Sequence, residues 1–180
     1  MEINYSNFEN CIKKILNDIT IENVVGNKLQ VRERNNRAQG EAIEITSIKN
    51  SIVLGLDISD RKIYFLKNDS KINDQTILYF NNNTLKVLLL ELKSRRKREY
   101  KKQILIGKAY IEFILAILDT ENGFKIPNIE YRGFVFTINS RVKKQPTKRD
   151  KKFCPDEEVD GVFIKELKNN KTYNFNELIL

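Results

Sequence analysis

The 180-residue sequence predicts a mixed α/β fold, a central mixed sheet flanked by helices. Three observations lead there. An apolar segment of helical period with a capping signal stands near the start. A series of short β-branched and aromatic runs follows, punctuated by Asn and Asp. A long proline-free apolar stretch then separates two such runs. The length suits a single domain spanning 1–180, with its core between about residues 43 and 140.

The first element rests on the Ser6–Asn7–Phe8–Glu9 capping-box spacing, followed by apolar Phe8, Ile12, Ile15, Leu16 and Ile19, which predicts a helix from about Asn7 to Ile19. Cys11 falls beside those apolar positions as a small core residue. The stretch KLQVRERNNRAQGEAIEI, with Arg32, Arg34 and Arg37, reads equally as an extended hairpin or a loop. From Ile43 onward SIVLGL, KIYFL, TILYF and LKVLLLEL read as strands joined through DISDR, KNDSKIND and NNN. Consecutive apolar residues in LKVLLLEL predict a central strand covered on both faces.

KREYKKQILIGKAYIEFILAILDT is apolar nearly all round from Ile104 to Leu118, which predicts a buried helix on the sheet, with Gly107 allowing close packing. ENGFKIPN ends it, and YRGFVFTI is the next strand. A basic loop (141–152) and an acidic patch (Asp156–Asp160) follow, and GVFIKEL with TYNFNELI, joined by KNNK, predicts a terminal hairpin over 160–180. Tyr79, Phe80, Tyr110 and Phe113 sit in apolar elements and are expected in the core.

Composition excludes several chemistries. Histidine is absent, which removes His-based triads, imidazole zinc ligands and the paired-His ribonuclease mechanism. Two cysteines, Cys11 and Cys154, are too few for a disulfide framework or a Cys-type zinc site, and they point to a reduced, cytoplasmic setting. No apolar run approaches the ~18 residues a membrane helix needs, and the start lacks the basic-then-apolar order of a signal peptide, so no membrane association is expected. The net charge of +8 says little in a chain where Ile, Lys and Asn fill 66 positions, the mark of an AT-rich genome. Its placement says more.

Asp74 stands at the entry of one strand run and Glu91 near the end of the next, with Lys93 two residues on and therefore on the same strand face. If TILYF and LKVLLLEL form a hairpin, Asp74 lies beside Glu91. Two carboxylates and an ammonium on one sheet edge suit a hard divalent cation such as Mg²⁺ and a phosphodiester. The E-x-K triplet alone is cheap, because Glu99–Lys101 and Glu166–Lys168 match it too. The latter ends an apolar strand but lacks a preceding Asp-bearing hairpin, and reads as a solvated strand end. A surface ion pair is the competing reading of Asp74, Glu91 and Lys93.

Directly after Lys93 come Arg95, Arg96, Lys97, Arg98, Lys101 and Lys102. Cations at a helix start cost roughly 0.3–1 kcal/mol each, so their concentration there makes sense if an anion docks. Alternatively the run is a flexible loop and the helix begins only near Tyr100. The 141–152 loop carries Arg141, Lys143, Lys144, Lys148, Arg149, Lys151 and Lys152, and reads equally as a phosphate-contacting loop or a mobile charged one.

The order Asp74, hairpin, Glu91-Leu92-Lys93, helix with Gln103, then YRGFVFTI, resembles the PD-(D/E)xK nuclease superfamily, particularly its small stand-alone bacterial members with an arginine-rich stretch (here RERNNR) before the Asp strand. The resemblance spans about Arg32 to Lys152. It implies a restriction-endonuclease-like αβββαβ core. Asp74, Glu91 and the Leu92 backbone carbonyl would bind Mg²⁺ or Mn²⁺, Lys93 would serve the hydrolytic step, and Gln103 would lie beside them. Asn73 stands where the family often has Pro; Asp69 and Asp60 are alternatives to Asp74, and Glu9 is available as an extra helix-one acid. The expectation is a Mg²⁺-dependent endonuclease, on DNA rather than RNA, serving restriction or phage defence with a targeting partner protein or as a homodimer. Arg95, Arg96, Arg98, Lys101, Lys102, Lys144, Lys148 and Arg149 would contact nucleic acid. The alternative is a catalytically silent nuclease-like domain that binds nucleic acid or a partner protein.

Overall fold

In the computed structural model, the residues described are 4–16, 21–22, 24–32, 42–56, 71–93, 99–138, 154–169 and 171–180. The KIYFL run, Asp60, Asp69, Arg34, Arg37, the basic residues from Arg95 to Arg98 and the whole 141–152 loop lie outside them.

The architecture is mixed α/β. The first helix, α1, spans Tyr5–Ile15 and is capped by Asn4, whose side chain accepts from Asn7 N at 2.9 Å. The expected cap was Ser6, but Ser6 is exposed within the first turn, because the Asn4 carboxamide already reaches an orphan N–H there. The helix buries Phe8, Cys11 and Ile12, and the Phe8 ring stacks on Phe80 and packs against Phe124, with centroids 5.4 and 5.9 Å away.

The strands are β1 (Ile21–Glu22), β2 (Lys28–Arg32), β3 (Ala42–Thr46), β4 (Ser51–Leu54), β5 (Gln75–Asn81), β6 (Thr84–Lys93), β7 (Asn128–Thr137), β8 (Glu157–Val159), β9 (Val162–Lys168) and β10 (Thr172–Asn174). A seven-stranded sheet takes the order β1-β4-β5-β6-β7-β9-β8, and β10-β3-β2 form a second sheet. The ends of the arginine-rich stretch are thus extended and paired antiparallel, with Arg32 opposite Ala42.

The β5–β6 hairpin turns through Asn82 and Asn83, both at positive φ (48° and 61°), with Asn81 paired to Thr84. A two-residue turn of this hand matches the right-handed strand twist, and Asn tolerates the left-handed region better than other side-chain-bearing residues. β6 is the middle strand and is buried from Val87 to Leu92, as its consecutive apolar residues require. It runs parallel to β7 over its whole length, the crossover being α2 (Tyr100–Asn122). Gly123, at φ 60°, closes α2 in the left-handed conformation that only glycine takes at no steric cost.

Three layers result. Beneath one face of the large sheet lie α1 and α2, sharing a core built on Phe8, Leu89, Ile104, Ile111 and Leu118. The other face packs Leu88, Leu90, Phe134 and Phe136 against the small sheet and α3 (Phe175–Ile179). Each fully buried side chain of this kind contributes about 1.5–3 kcal/mol.

Two expectations need correcting. The terminal hairpin does not form: β9 pairs parallel with β7 and antiparallel with β8, while β10 leaves for the second sheet and runs parallel to β3. The reason lies in TYNFNELI, where Asn174 accepts from Asn176 N and caps α3, and where Phe175 and Leu178 are buried at a helical spacing. The second correction is Phe113, which is 62 % exposed, because α2 buries only the stripe through Gln103, Ile104, Gly107, Ile111, Ile114 and Leu118. Phe80 is buried and Tyr79 meets Phe175 edge-on at 5.3 Å.

The turn carries a stability prediction. Asn83→Val, a β-branched residue at φ 61°, should cost about 1–2 kcal/mol, whereas Asn83→Gly should be neutral or stabilising. Urea midpoints at unchanged m-value check it.

Candidate functional site

The site lies at the end of the β5–β6 hairpin opposite its turn. Gln75 pairs with Leu90, and one further step of the same antiparallel register sets Asp74 against Glu91. Asp74 Oδ2 accepts from Leu92 N at 2.6 Å, so the carboxylate extends the ladder where β5 has not yet begun. Asp74 is thereby held beside Glu91 by backbone geometry.

Side chains alternate along β6, so Glu91 and Lys93 share the face of Leu85, Val87 and Leu89, which is the face covered by the two long helices. The Leu92 side chain enters the opposite core, and its N–H goes to Asp74. Lys93 Nζ lies 2.6 Å from Glu91 Oε1 and donates to Gln103 Oε1 at 2.5 Å. Gln103 reaches it from the first turns of α2 and is itself buried. Asp74, Glu91, Lys93 and Gln103, four residues spread over thirty positions, therefore form one constellation.

Its electrostatics are unbalanced. Glu91 is 1 % exposed, and its second oxygen, Oε2, has no hydrogen-bond partner among the described residues. Burial first, and then the Asp74 charge, push the Glu91 carboxyl up to about 8, against the pull of the Lys93 ammonium and the Asp74 backbone N–H. Lys93 is ion-paired with Glu91, while the Asp74 charge beside it opposes ionisation of the same carboxyl. A surface ion pair does not look like this: both Glu91 and Gln103 are buried.

No family model, curated protein or solved structure matches this chain. Its chemistry therefore rests on its own geometry. Among the described residues no three of His, Cys, Asp and Glu converge on one point, so the anionic element is the Asp74/Glu91 pair. The residues present fit a hard divalent cation. An unpartnered, buried carboxylate oxygen beside a second carboxylate is the donor set such an ion takes, with backbone carbonyl and water completing its shell.

Other candidate residues are dispersed. Lys102 is exposed beside the start of α2. Lys101 is paired with Glu157 at 2.5 Å, and Tyr100 donates to the same carboxylate at 2.7 Å. The acidic patch thus lies against the helix start, because β8 is the edge strand carried there by β9. Its Asp160-Gly161 turn, with φ 49° and 74°, is the hairpin signal in the sequence that reveals β8. Glu166 accepts from Thr137 Oγ1 at 2.8 Å, so the second E-x-K triplet is tied into the sheet. Glu9 pairs with Lys13 at 2.7 Å on α1. Arg95, Arg96, Arg98, Lys144, Lys148 and Arg149 lie outside the described residues.

Glu91 also sets a pH dependence. A carboxyl raised on folding binds its proton more tightly in the native chain, so its stabilising contribution is present at low pH and is lost as pH rises from about 4.5 to about 8. Glu91→Gln, compared with the wild type in metal-free buffer, should gain relative stability across that window and level off above it. Urea midpoints at three pH values test this; a pH-independent difference would contradict it.

Proposed function

We propose that this chain is a Mg²⁺-dependent endonuclease of the PD-(D/E)xK type, acting on DNA, with restriction or phage defence as its setting. The observation that carries the reading is the buried Glu91 Oε2, unpartnered beside Asp74, with Lys93 fixed by Gln103 on the same edge. Asp74, Glu91 and the Leu92 backbone carbonyl would hold the Mg²⁺ or Mn²⁺. Bound there, the ion supplies an acidified water and offsets charge on the scissile phosphate.

The chain's own residues have distinct parts. Asp74 is oriented by Leu92 N–H, so its position follows the sheet and not a flexible loop. Glu91 sits where water cannot solvate it, which favours its protonated form unless a cation takes the place of the proton. Lys93 puts an ammonium next to the two acids, and Gln103 accepts one of its protons and limits its rotation. Such an ammonium can hold a water or a phosphate oxygen at this edge. Lys102 at the helix start, and the basic stretches 95–98 and 141–152, would add affinity that is independent of sequence and falls with salt. Among the described residues no helix is long and apolar enough to cross a membrane.

Two outcomes are expected. Asp74→Asn and Glu91→Gln should each lower Mg²⁺-dependent cleavage of duplex DNA at least about 100-fold while leaving DNA binding within a few-fold. Cleavage unchanged in both variants would overturn the reading, and binding without cleavage in the wild type would move it to a silent DNA-binding domain. Separately, Mg²⁺ at 100 times its dissociation constant should stabilise the wild type by about 2.7 kcal/mol and leave Glu91→Gln unmoved. Thermal melts with and without the ion measure it.

A further inference from the structure

The residue before Asp74 is as buried as any in the chain. Asn73 is fully enclosed, and its Nδ2 donates to the Gln75 carbonyl at 2.5 Å and to Thr76 Oγ1 at 3.0 Å. A carbonyl can only accept, so the amide end of Asn73 must face the strand and its Oδ1 must face away. That oxygen has no hydrogen-bond partner among the described residues. It points at α2. A Cβ added at Gly107 would lie 1.9 Å from Asn73 Oδ1, 2.9 Å from its Cγ and 3.2 Å from Leu89 Cδ2. Only the α-hydrogen of a glycine fits, and it offers the oxygen a weak C–H contact. Gly107 is therefore glycine for space, in the middle of a helix where glycine is otherwise unfavourable.

Gln103 stands one turn before Gly107, on the same helix face. A second close approach sits beside it. A Cβ at Gly133 of β7 would come within 3.1 Å of Ile104 Cδ1 and of Ile164 Cγ1, so α2 is also seated tightly one residue from Gln103. The helix rests on two glycine contacts, one in the helix and one in the sheet, and Gln103 immediately precedes both, next to Ile104 and one turn before Gly107.

We infer that Asn73 and Gly107 are positioning residues, which together fix the height of α2 over β5 and β6 and so bring Gln103 onto Lys93. Asn73 acts at both ends of the constellation. Its amide fixes the chain entering β5, where Asp74 stands, and its carbonyl oxygen sets how close the helix lies. The inference rests on the nuclease reading only for the purpose of this seat; the seat itself is a matter of geometry.

The test uses the full chain and three variants: Gly107→Ala, Asn73→Ala and the double variant. The first readout is the ¹⁵N–¹H₂ signal of the Gln103 side-chain amide, assigned through its loss in Gln103→Leu. The second is steady-state cleavage of duplex DNA with Mg²⁺. Gly107→Ala should move the Gln103 signal towards that of a free glutamine, lower kcat about 10–100-fold and leave KM within about twofold. Asn73→Ala should move the same signal in the same direction. The double variant, in which the added methyl takes room left by the lost carboxamide, should recover much of the Gln103 displacement relative to Gly107→Ala, while cleavage stays reduced by loss of the Asn73 amide contacts. A Gln103 signal unmoved in Gly107→Ala overturns the inference, as does a double variant displaced as far as the single one. Should Gly107→Ala not fold, the double variant must fold and retain the Gln103 signal, and its failure also overturns the inference. Absence of cleavage in the wild type would count against the nuclease reading alone, because the amide signal reports the seat without it.

Discussion

The register of the β5–β6 hairpin is the constraint on which the rest of the site depends. The Asn82–Asn83 turn pairs Asn81 with Thr84, and six pairs later Gln75 meets Leu90. Strand side chains alternate with a period of two, so a slip of one residue would send Glu91 and Lys93 into the core that now holds Leu88, Leu90 and Leu92. That slip would bury two charges against Phe134 and Phe136, which the fold forbids. A turn at one end of the sheet and an apolar layer on its far face together place the acids at the other end.

What they hold there is locally unfavourable. Two carboxylates, one of them buried, stand side by side, and a buried Glu91 oxygen and a buried Asn73 oxygen are both left without hydrogen-bond partners among the described residues. Folded proteins leave few such groups, and departures from local rules concentrate where function is carried. The two orphans have different remedies. The Asn73 oxygen faces a glycine in a space too small for another atom. The Glu91 oxygen belongs to a carboxyl that burial and a second acid keep from ionising easily, and under the proposed function a divalent cation would take the place of its proton.

The site was legible in the sequence because its determinants are local. The NNN turn, two apolar runs and an Asp and a Glu at matching distances from the turn define the edge without long-range information. Gln103 could be read only through the family resemblance, since its contact with Lys93 depends on how deeply α2 sits. Asn73 looked like a mere replacement for proline; its role needs Gly107 opposite, a pairing no periodicity reveals. Elsewhere the misses share a cause. Phe113 and Ile104 belong to one continuous apolar stretch, and only the packed sheet decides which of them is covered. TYNFNELI is short enough to satisfy strand or helix, and it divides: Thr172–Asn174 pairs with β3, more than 120 residues earlier, and the Asn174 cap starts a helix at Phe175. The +8 charge was informative only by placement, and even there Lys101 proves to be neutralised by Glu157.

The Asp74/Glu91 edge is tested most directly by an anomalous-difference map from a crystal of the wild-type chain grown with Mn²⁺. A peak at coordination distance, about 2.1 Å, from oxygens of both Asp74 and Glu91 is the result expected, with Glu91 Oε2 among the ligands. At saturating Mn²⁺, a map with no peak on this edge, or with the ion on other residues while Glu91 Oε2 stays unpartnered, would contradict it.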